Sequence, residues 1–165
     1  MKVSINWLRK FVDVSETPAE LAEMLTMLGL EAEVGVDFSG FDNIISAKVL
    51  SSTKHPNADK LKLCQVSDGK DTYQVVCGAP NVDVDQTVIF AKIGSVLPGD
   101  FKIKKVKIRG QESSGMICSE KELGISDDHE GILVLPDYTK PGMHISEVLN
   151  PVFSSLELYI LPNRP

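Results

Sequence analysis

The sequence lacks the common signatures of catalysis and of nucleotide binding. Neither a G-x-x-x-x-G-K loop nor a G-x-G-x-x-G loop occurs in its 165 residues. The histidines His55, His129 and His144 stand far apart, without the spacing of metal ligands or of a nucleophile and its base. The consecutive carboxylates around His129 are typical of a solvated acidic turn. We therefore expect no catalytic residue, no metal site and no cofactor in this chain.

Cysteine and long apolar runs are also scarce. Cys64, Cys77 and Cys118 form no C-x-x-C pair, which excludes the usual zinc sites, and their odd number argues against a disulfide framework. We expect all three to be buried and reduced. No apolar run approaches the roughly 20 residues that span a bilayer, and Arg9 and Lys10 interrupt the first one. These features favour a cytoplasmic protein that does not enter a membrane.

Aromatic residues make up only 6% of the chain, and its net charge is -6. Both values argue against a nucleic-acid partner. The charge is unevenly distributed, however, because residues 51–110 carry a net +4, whereas residues 1–50 carry -4 and residues 111–165 carry -6. The middle third can therefore present a positive face within an acidic whole.

The first forty residues have the pattern of two helices. Ser4 can cap the first helix. Thr17 and Glu20 form a capping box around Pro18, and Gly29 ends the second helix. The helical spacing of one apolar stripe predicts packing against a core, and its members are Leu21, Met24, Leu25 and Leu28.

From Ile44 onward the pattern changes to short strands and turns. Ser67–Lys70 is a hairpin signal, and Ser119 with Glu122 predicts a short capped helix over EKEL that ends at Gly124. The strand-like segments are Ile44–Leu50, Leu61–Val66, Thr72–Cys77, Thr87–Ile93 and Ile132–Pro136. The expected class is α+β with a small closed β-barrel, for which the oligonucleotide-binding fold is one candidate. Periodicity alone does not separate it from other small barrels.

The segment Phe101–Gly110 is rich in lysine. Its apolar side chains change parity at Lys104-Lys105, which predicts one strand with a bulge at that point. We expect Phe101 and Phe90 to lie in the core and the lysines of this strand to point outward.

Four motifs occur in order over roughly a hundred residues. They are HPNADKL at His55–Leu61, VVCGAPNV at Val75–Val82, GQESSGMICSEKELGI at Gly110–Ile125 and DHEGILVLP at Asp128–Pro136. The series resembles the tRNA-binding barrel found in the phenylalanyl-tRNA synthetase beta subunit, in the tails of some methionyl synthetases and in free tRNA-binding proteins. The flanking segments MKVSINWLRKFVDV, TMLGLEAE and ILPNRP look like the beta subunit of the bacterial enzyme.

This resemblance covers essentially the whole chain and implies its organisation. An amino-terminal helical segment spans residues 1–40, the tRNA-binding barrel spans 41–150, and residues 151–165 start a return into the first, helical or mixed, domain. The family's beta subunit continues for several hundred residues beyond an LPNRP-like segment. We therefore expect the first domain to be incomplete here.

The resemblance also implies a function. The chain would be a non-catalytic tRNA-binding module of a phenylalanine–tRNA ligase. The parent enzyme is an alpha-two-beta-two assembly that uses ATP, magnesium, phenylalanine and tRNA, and its alpha subunit carries the aminoacylation site. Two alternatives remain open, namely a packing module with little tRNA contact and a stand-alone tRNA-binding protein.

The candidate tRNA contacts are mainly cations of the middle third, whose contacts to phosphate would be salt-sensitive and largely indifferent to sequence. A solubilising lysine-rich edge is the alternative. The family's S-x-G-M element adds two polar or flexible side chains, although Gly115 and Met116 can equally serve a turn and the core. Asn57 and Asp59 favour turn structure. The candidates are Lys54, His55, Lys60, Lys62, Lys102, Lys104, Lys105, Lys107, Arg109, Ser113 and Met116.

Overall fold

A computed structural model describes residues 1–160, apart from the side chains at positions 36, 151 and 152. The chain forms two units, one of Met1–Gly40 with the chain from Leu149 onward, and one of Phe41–Val148. The first unit begins with β1 (Lys2–Ser4), α1 (Ile5–Leu8), α2 (Pro18–Met27) and β2 (Glu31–Val36). Next come β3 (Ile44–Lys54), β4 (Lys62–Ser67), β5 (Thr72–Cys77), β6 (Thr87–Lys92), β7 (Val96–Leu97), β8 (Phe101–Lys102), β9 (Val106–Ile108), β10 (Gln111–Ser113), β11 (Gly115–Ile117) and β12 (Val134–Leu135). The described chain ends with α3 (Ile145–Phe153) and β13 (Ser155–Tyr159).

The first unit is a three-stranded antiparallel sheet with two helices. Its strand order is β1-β13-β2, so the last strand of the described chain lies between the first two. The expectation of a helical segment over residues 1–40 therefore missed two strands. The core of this unit consists of Ile5, Ala22, Ala32, Leu156 and Leu158.

Both helices begin at the predicted caps. The Trp7 backbone N–H donates to Ser4 Oγ over 3.3 Å. The capping box is complete, because Glu20 N–H donates to Thr17 Oγ1 and Thr17 N–H donates to the Glu20 carboxylate. Of the predicted apolar stripe, Leu21 and Leu25 pack against the core, whereas Met24 and Leu28 are exposed.

The second unit is a nearly closed antiparallel barrel. Hydrogen bonds join neighbouring strands in the order β11-β6-β3-β4-β5. The two ends of this row approach each other, since Ser114 N–H donates to the Gln74 carbonyl over 2.8 Å. Five strands arranged in this way form the oligonucleotide-binding fold. The predicted fold class is thus confirmed.

The barrel core surrounds Phe90, which is fully buried as predicted. The Tyr73 ring packs beside it, with 5.2 Å between ring centroids. Gly115 has a φ of +154°, and a Cβ atom there would lie 2.4 Å from two atoms of the Phe90 ring. A larger residue would therefore push the closing strand off the core. The three free cysteines are buried, as the sequence indicated.

The lysine-rich segment Phe101–Gly110 departs from its prediction. Instead of one bulged strand it forms β8 and β9, separated by residues 103–105, and these strands belong to the two hairpins β7–β8 and β9–β10. Ile103 is buried, but Phe101 is 56% exposed, so its expected place in the core was wrong. The change in apolar parity at Lys104-Lys105 lies in the connection between the two hairpins. Such a change is expected from a break between strands as well as from a bulge within one strand.

Two further segments are shorter than predicted. Ser119 and Glu122 make the hydrogen bonds of a capping box, but the residues after them form turns rather than a helix. Only Val134–Leu135 of the predicted strand Ile132–Pro136 is paired. The LPNRP end lies outside the described residues. Within those residues, no helix has both the length and the apolar character needed to cross a bilayer.

Candidate nucleic-acid interface

The loop between the first and second barrel strands, residues 55–61, is held by His55. This side chain is only 2% exposed. Its Nδ1 accepts from the Asn57 N–H over 3.0 Å, so Nε2 carries the hydrogen donated to the Ile108 carbonyl over 3.1 Å. Both ring nitrogens are therefore engaged in hydrogen bonds within the protein. This gives His55 a structural role, and its contact with tRNA stays a prediction.

The partner of this loop is the turn of the β9–β10 hairpin. Arg109 and Gly110 both have positive φ, +45° and +92°, between the paired residues Ile108 and Gln111. Two such residues make a type I′ turn, whose twist suits a tight hairpin. Asn57 Nδ2 donates to the Arg109 carbonyl over 3.2 Å. Arg109 thus accepts an unfavourable backbone conformation in a turn that the loop helps to fix.

We call the surface made by residues 54–62 and 104–112 the loop–hairpin surface. It joins the connection between the first two barrel strands to the connection between the last two. These are the two loops with which oligonucleotide-binding folds hold their ligands. The HPNADKL loop and the lysine-rich segment therefore contact each other. His55 and Asn57 bind the backbone carbonyls of Ile108 and Arg109, and no sequence pattern predicts these contacts.

Two of the predicted cations on this surface have carboxylate partners. Lys54 Nζ lies 2.6 Å from Asp59, and Lys105 Nζ lies 2.8 Å from Glu112. The hydrogen bond from Lys105, together with its charge, lowers the pKa of the Glu112 carboxyl. All four side chains are exposed, so each pair contributes little to stability and can open for another anion.

The remaining cations form no ion pair with a described residue, although Lys107 lies opposite Glu112 in the β9–β10 hairpin, where its charge acts on that carboxylate together with the charge of Lys105. Within residues 1–160, no carboxylate lies within 4.0 Å of the ammonium or guanidinium groups of Lys60, Lys102, Lys104, Lys107 and Arg109. All five residues are exposed. They are the strongest candidates among those that the sequence indicated.

Lys62 has a different role from the one expected. Its Nζ donates to the carbonyls of Pro80 and Val82, over 3.1 and 2.7 Å. It thereby holds the connection that follows β5. Lys62 also lines an open groove of 690 Å³ together with Lys54 and Lys60, so its charge still adds to the potential there.

The S-x-G-M element closes the barrel. Ser113 is 2% exposed, accepts from Val76 N–H over 3.1 Å and donates to the Gly115 carbonyl over 3.0 Å. Met116 is partly buried on the closing strand. The structure therefore gives Ser113 a structural role in place of the expected tRNA contact, and it supports the structural explanation for Gly115.

Sequence reasoning missed a row of amides on the outer face of β4 and β5. Gln65 Nε2 donates to Gln74 Oε1 over 3.4 Å, and Gln74 Nε2 donates to the Glu112 carbonyl over 2.9 Å. This row continues from the β9–β10 hairpin across the second and third barrel strands. Alternating outward positions on those strands were its only sequence signal.

A buried ion pair was also missed. Lys92 Nζ lies 2.6 Å from Asp68 Oδ2, and the Asp68 side chain is 7% exposed. Burial opposes ionisation of Asp68, but the hydrogen bonds from Lys92 and from the amides of Asp71 and Lys70 outweigh it and hold the pKa of Asp68 well below its usual range. Lys92, one of the basic residues of the middle third, is therefore paired with a carboxylate of the same segment.

The acidic segment around His129 is tied to the barrel by Asn81. The Asn81 amide donates to the Ile132 carbonyl over 3.0 Å and accepts from the Ile132 N–H over 2.8 Å. Two of the four sequence motifs thus contact each other directly. In the described part of the chain, no three His, Cys, Asp or Glu residues are grouped so that they could hold a metal ion.

Comparison with known proteins agrees with this geometry. Residues 44–144 match the family described as "Putative tRNA binding domain". The whole chain is 52% identical to the phenylalanine–tRNA ligase beta subunit of Syntrophotalea carbinolica, and 99% of it is 49% identical to that of Geobacter metallireducens. The chain spans 21% of the length of each of these relatives. A MetRS-related protein from Pyrococcus horikoshii superposes on 64% of this chain and 89% of its own, with 19% identity and a TM-score of 0.48.

The family match and the two beta-subunit relatives confirm the resemblance indicated by the four ordered motifs. The family region begins at the first residue of β3 and ends one residue before α3. It therefore contains every strand of the barrel and the whole loop–hairpin surface. The chain belongs to the family of tRNA-binding domains found in phenylalanine–tRNA ligase beta subunits.

Proposed function

We propose that this chain is a non-catalytic accessory module that binds tRNA for a phenylalanine–tRNA ligase through the loop–hairpin surface. One observation carries the proposal. His55 and Asn57 join the two ligand-binding loops of the barrel, and the joined surface displays cations that have no carboxylate partner among the described residues.

The proposed contacts fall into two groups. Lys60, Lys104, Lys107 and Arg109 meet phosphates directly, with Lys102 at the edge of the set. Lys54 and Lys105 exchange their exposed carboxylates for phosphate when RNA arrives, because exposed pairs are weak. Lysine and arginine contacts of this kind recognise the sugar–phosphate chain and position the molecule without reading its sequence.

The parent enzyme supplies the chemistry. By analogy with the relatives, we propose an alpha-two-beta-two ligase in the cytoplasm that attaches phenylalanine to its tRNA with ATP and magnesium. Among the described residues, no group of His, Cys, Asp or Glu suits a metal ion. The role left to this module is to hold tRNA while the alpha subunit carries the aminoacylation site.

The test is the salt dependence of tRNA binding. Each phosphate contact contributes about 0.7 to 0.9 to the slope of log K against log salt. The double variant Lys104→Glu/Lys107→Glu should lose affinity and reduce the slope by about 1.4 to 1.8. The matched control is Lys121→Glu/Lys140→Glu, which makes the same charge change at exposed lysines outside the loop–hairpin surface.

The outcome separates the proposal from a packing role. A slope that falls equally in both double variants would mean that only the net charge matters, and the loop–hairpin surface would not be the site. A wild-type chain that binds no tRNA even at low salt would favour a module that only packs within the ligase.

A further inference from the structure

The β7–β8 hairpin comes directly before residues 104–112 of the loop–hairpin surface and is firmly anchored. Ser95 Oγ donates to the Lys92 carbonyl over 2.6 Å. The backbone of Ile103 bonds Gly94 and Ser95 over 2.8 and 2.9 Å. Leu97 and Ile103 are 3% and 4% exposed, so they fasten the hairpin to the barrel. Side chains that this hairpin leaves outside are therefore held in place before any ligand arrives.

One of those side chains is an aromatic ring. Phe101 is 56% exposed, although its direct cross-strand partner Leu97 is buried. Leaving a phenylalanine more than half exposed on this hairpin forgoes the stabilisation that its burial would bring. An external flat, apolar surface would recover that stabilisation.

The charges beside the ring suit a nucleic acid. Lys102 and Lys104 are exposed and carry no carboxylate partner within the described residues, while Asp100 is the acidic neighbour. Phe101 is eight residues from Arg109, so a fully extended chain would place them at most about 28 Å apart. A stretch of 4 to about 16 nucleotides, the usual site size of such a barrel, can therefore meet both.

We propose that Phe101 is a stacking platform for an unpaired base of the bound RNA, with Lys102 and Lys104 on the adjoining phosphates. This inference rests on the proposed tRNA binding. It adds base stacking, a non-electrostatic contact, to the proposed contacts between cations and phosphates. A base offers a π face whatever its identity, so the contact is tolerant of sequence. It requires an unstacked nucleotide, such as those in tRNA loops or at its end, and it does not operate on a perfect duplex.

The experiment compares two chains of equal charge. The 165-residue protein is titrated with oligouridylate of about 12 nucleotides and with an abasic oligomer of the same length, which has phosphates but no bases. Wild type should bind oligouridylate more tightly. Phe101→Ala should weaken oligouridylate binding by about fivefold to a hundredfold, leave abasic binding unchanged and leave the salt slope unchanged. Phe101→Tyr should restore binding, and Phe101→Leu should not, because only the flat ring stacks.

Tyr138→Ala is the matched control, since Tyr138 is an aromatic residue of the same unit that is 86% exposed. Equal effects of Phe101→Ala and Tyr138→Ala would overturn the stacking role, as would an equal loss on both oligomers. A Phe101→Leu variant that binds oligouridylate as tightly as wild type would likewise overturn the stacking role, because an apolar side chain without a flat ring would then be sufficient. Failure of the proposed function looks different, because wild type would then show no salt-dependent binding to either oligomer.

Discussion

Replacing Asp68 by asparagine tests the buried ion pair that holds the β4–β5 turn to β6. The carboxylate accepts from Lys92, from the Tyr73 hydroxyl and from two backbone amides. Removing one partner of a buried pair costs about 3 to 5 kcal/mol. Lys92 is 29% exposed, and asparagine keeps one oxygen for the amides, so we expect a loss of about 2 to 3 kcal/mol.

The loss of stability in Asp68→Asn should depend on pH. The pKa of Asp68 is lowered in the folded state, so its stabilisation is complete above the unfolded pKa of about 3.9 and disappears as the pH falls below it. The stability difference between wild type and Asp68→Asn should be constant from about pH 7 to pH 5 and shrink below about pH 4.

Urea denaturation followed by circular dichroism measures this difference. The single tryptophan, Trp7, belongs to the first unit, so its fluorescence would not follow the barrel. Asp85→Asn is the control, because Asp85 is exposed and lies 3.9 Å from Lys48. It should change the free energy of unfolding by less than about 0.5 kcal/mol. A difference for Asp68→Asn that is equally small, or that does not vary down to pH 3, would refute the reasoning.

Two other variants test the barrel closure and the joint between its loops. Gly115→Ala should cost about 2 to 4 kcal/mol in urea denaturation, because the added Cβ meets the Phe90 ring, whereas Gly40→Ala, with nothing within 4 Å, should be nearly neutral. His55→Ala should cost about 2 to 3 kcal/mol and weaken tRNA binding, because Asn57 and the hairpin lose their link. Its salt slope should stay that of wild type, and a fall of about one unit would show that His55 itself contacts a phosphate.

The barrel strands were predictable because their signals are local. Alternating apolar residues and a Ser67–Lys70 turn place β4 and β5 within one or two residues of the structure. The caps at Ser4 and Thr17 succeeded for the same reason. Strands β1 and β2 were missed because both pair with β13, a partner more than a hundred residues away along the chain, and β1 has only three residues.

The site was predictable in its location and less so in its residues. A list of cations identifies the charged segment, but it does not say which of them the fold uses. Lys62 and His55 are candidate tRNA contacts in the sequence, but in the structure their side chains bind backbone carbonyls. Lys92, another cation of the middle third, binds a carboxylate. The prediction that Phe101 lies in the core assumes one long alternating strand over Phe101–Gly110. In the structure the strand that contains Phe101 has only two residues, so this alternation does not apply.

The middle position of β13 has a consequence for how the chain is made. Synthesis delivers β1 and β2 early, yet neither is paired with the other; each waits for the strand that separates them. The entire barrel emerges in between and has its own core, so it can fold while those two outer strands are still without hydrogen-bond partners. Strands β1 and β2 thus acquire their sheet only after the barrel between them and β13 has been made.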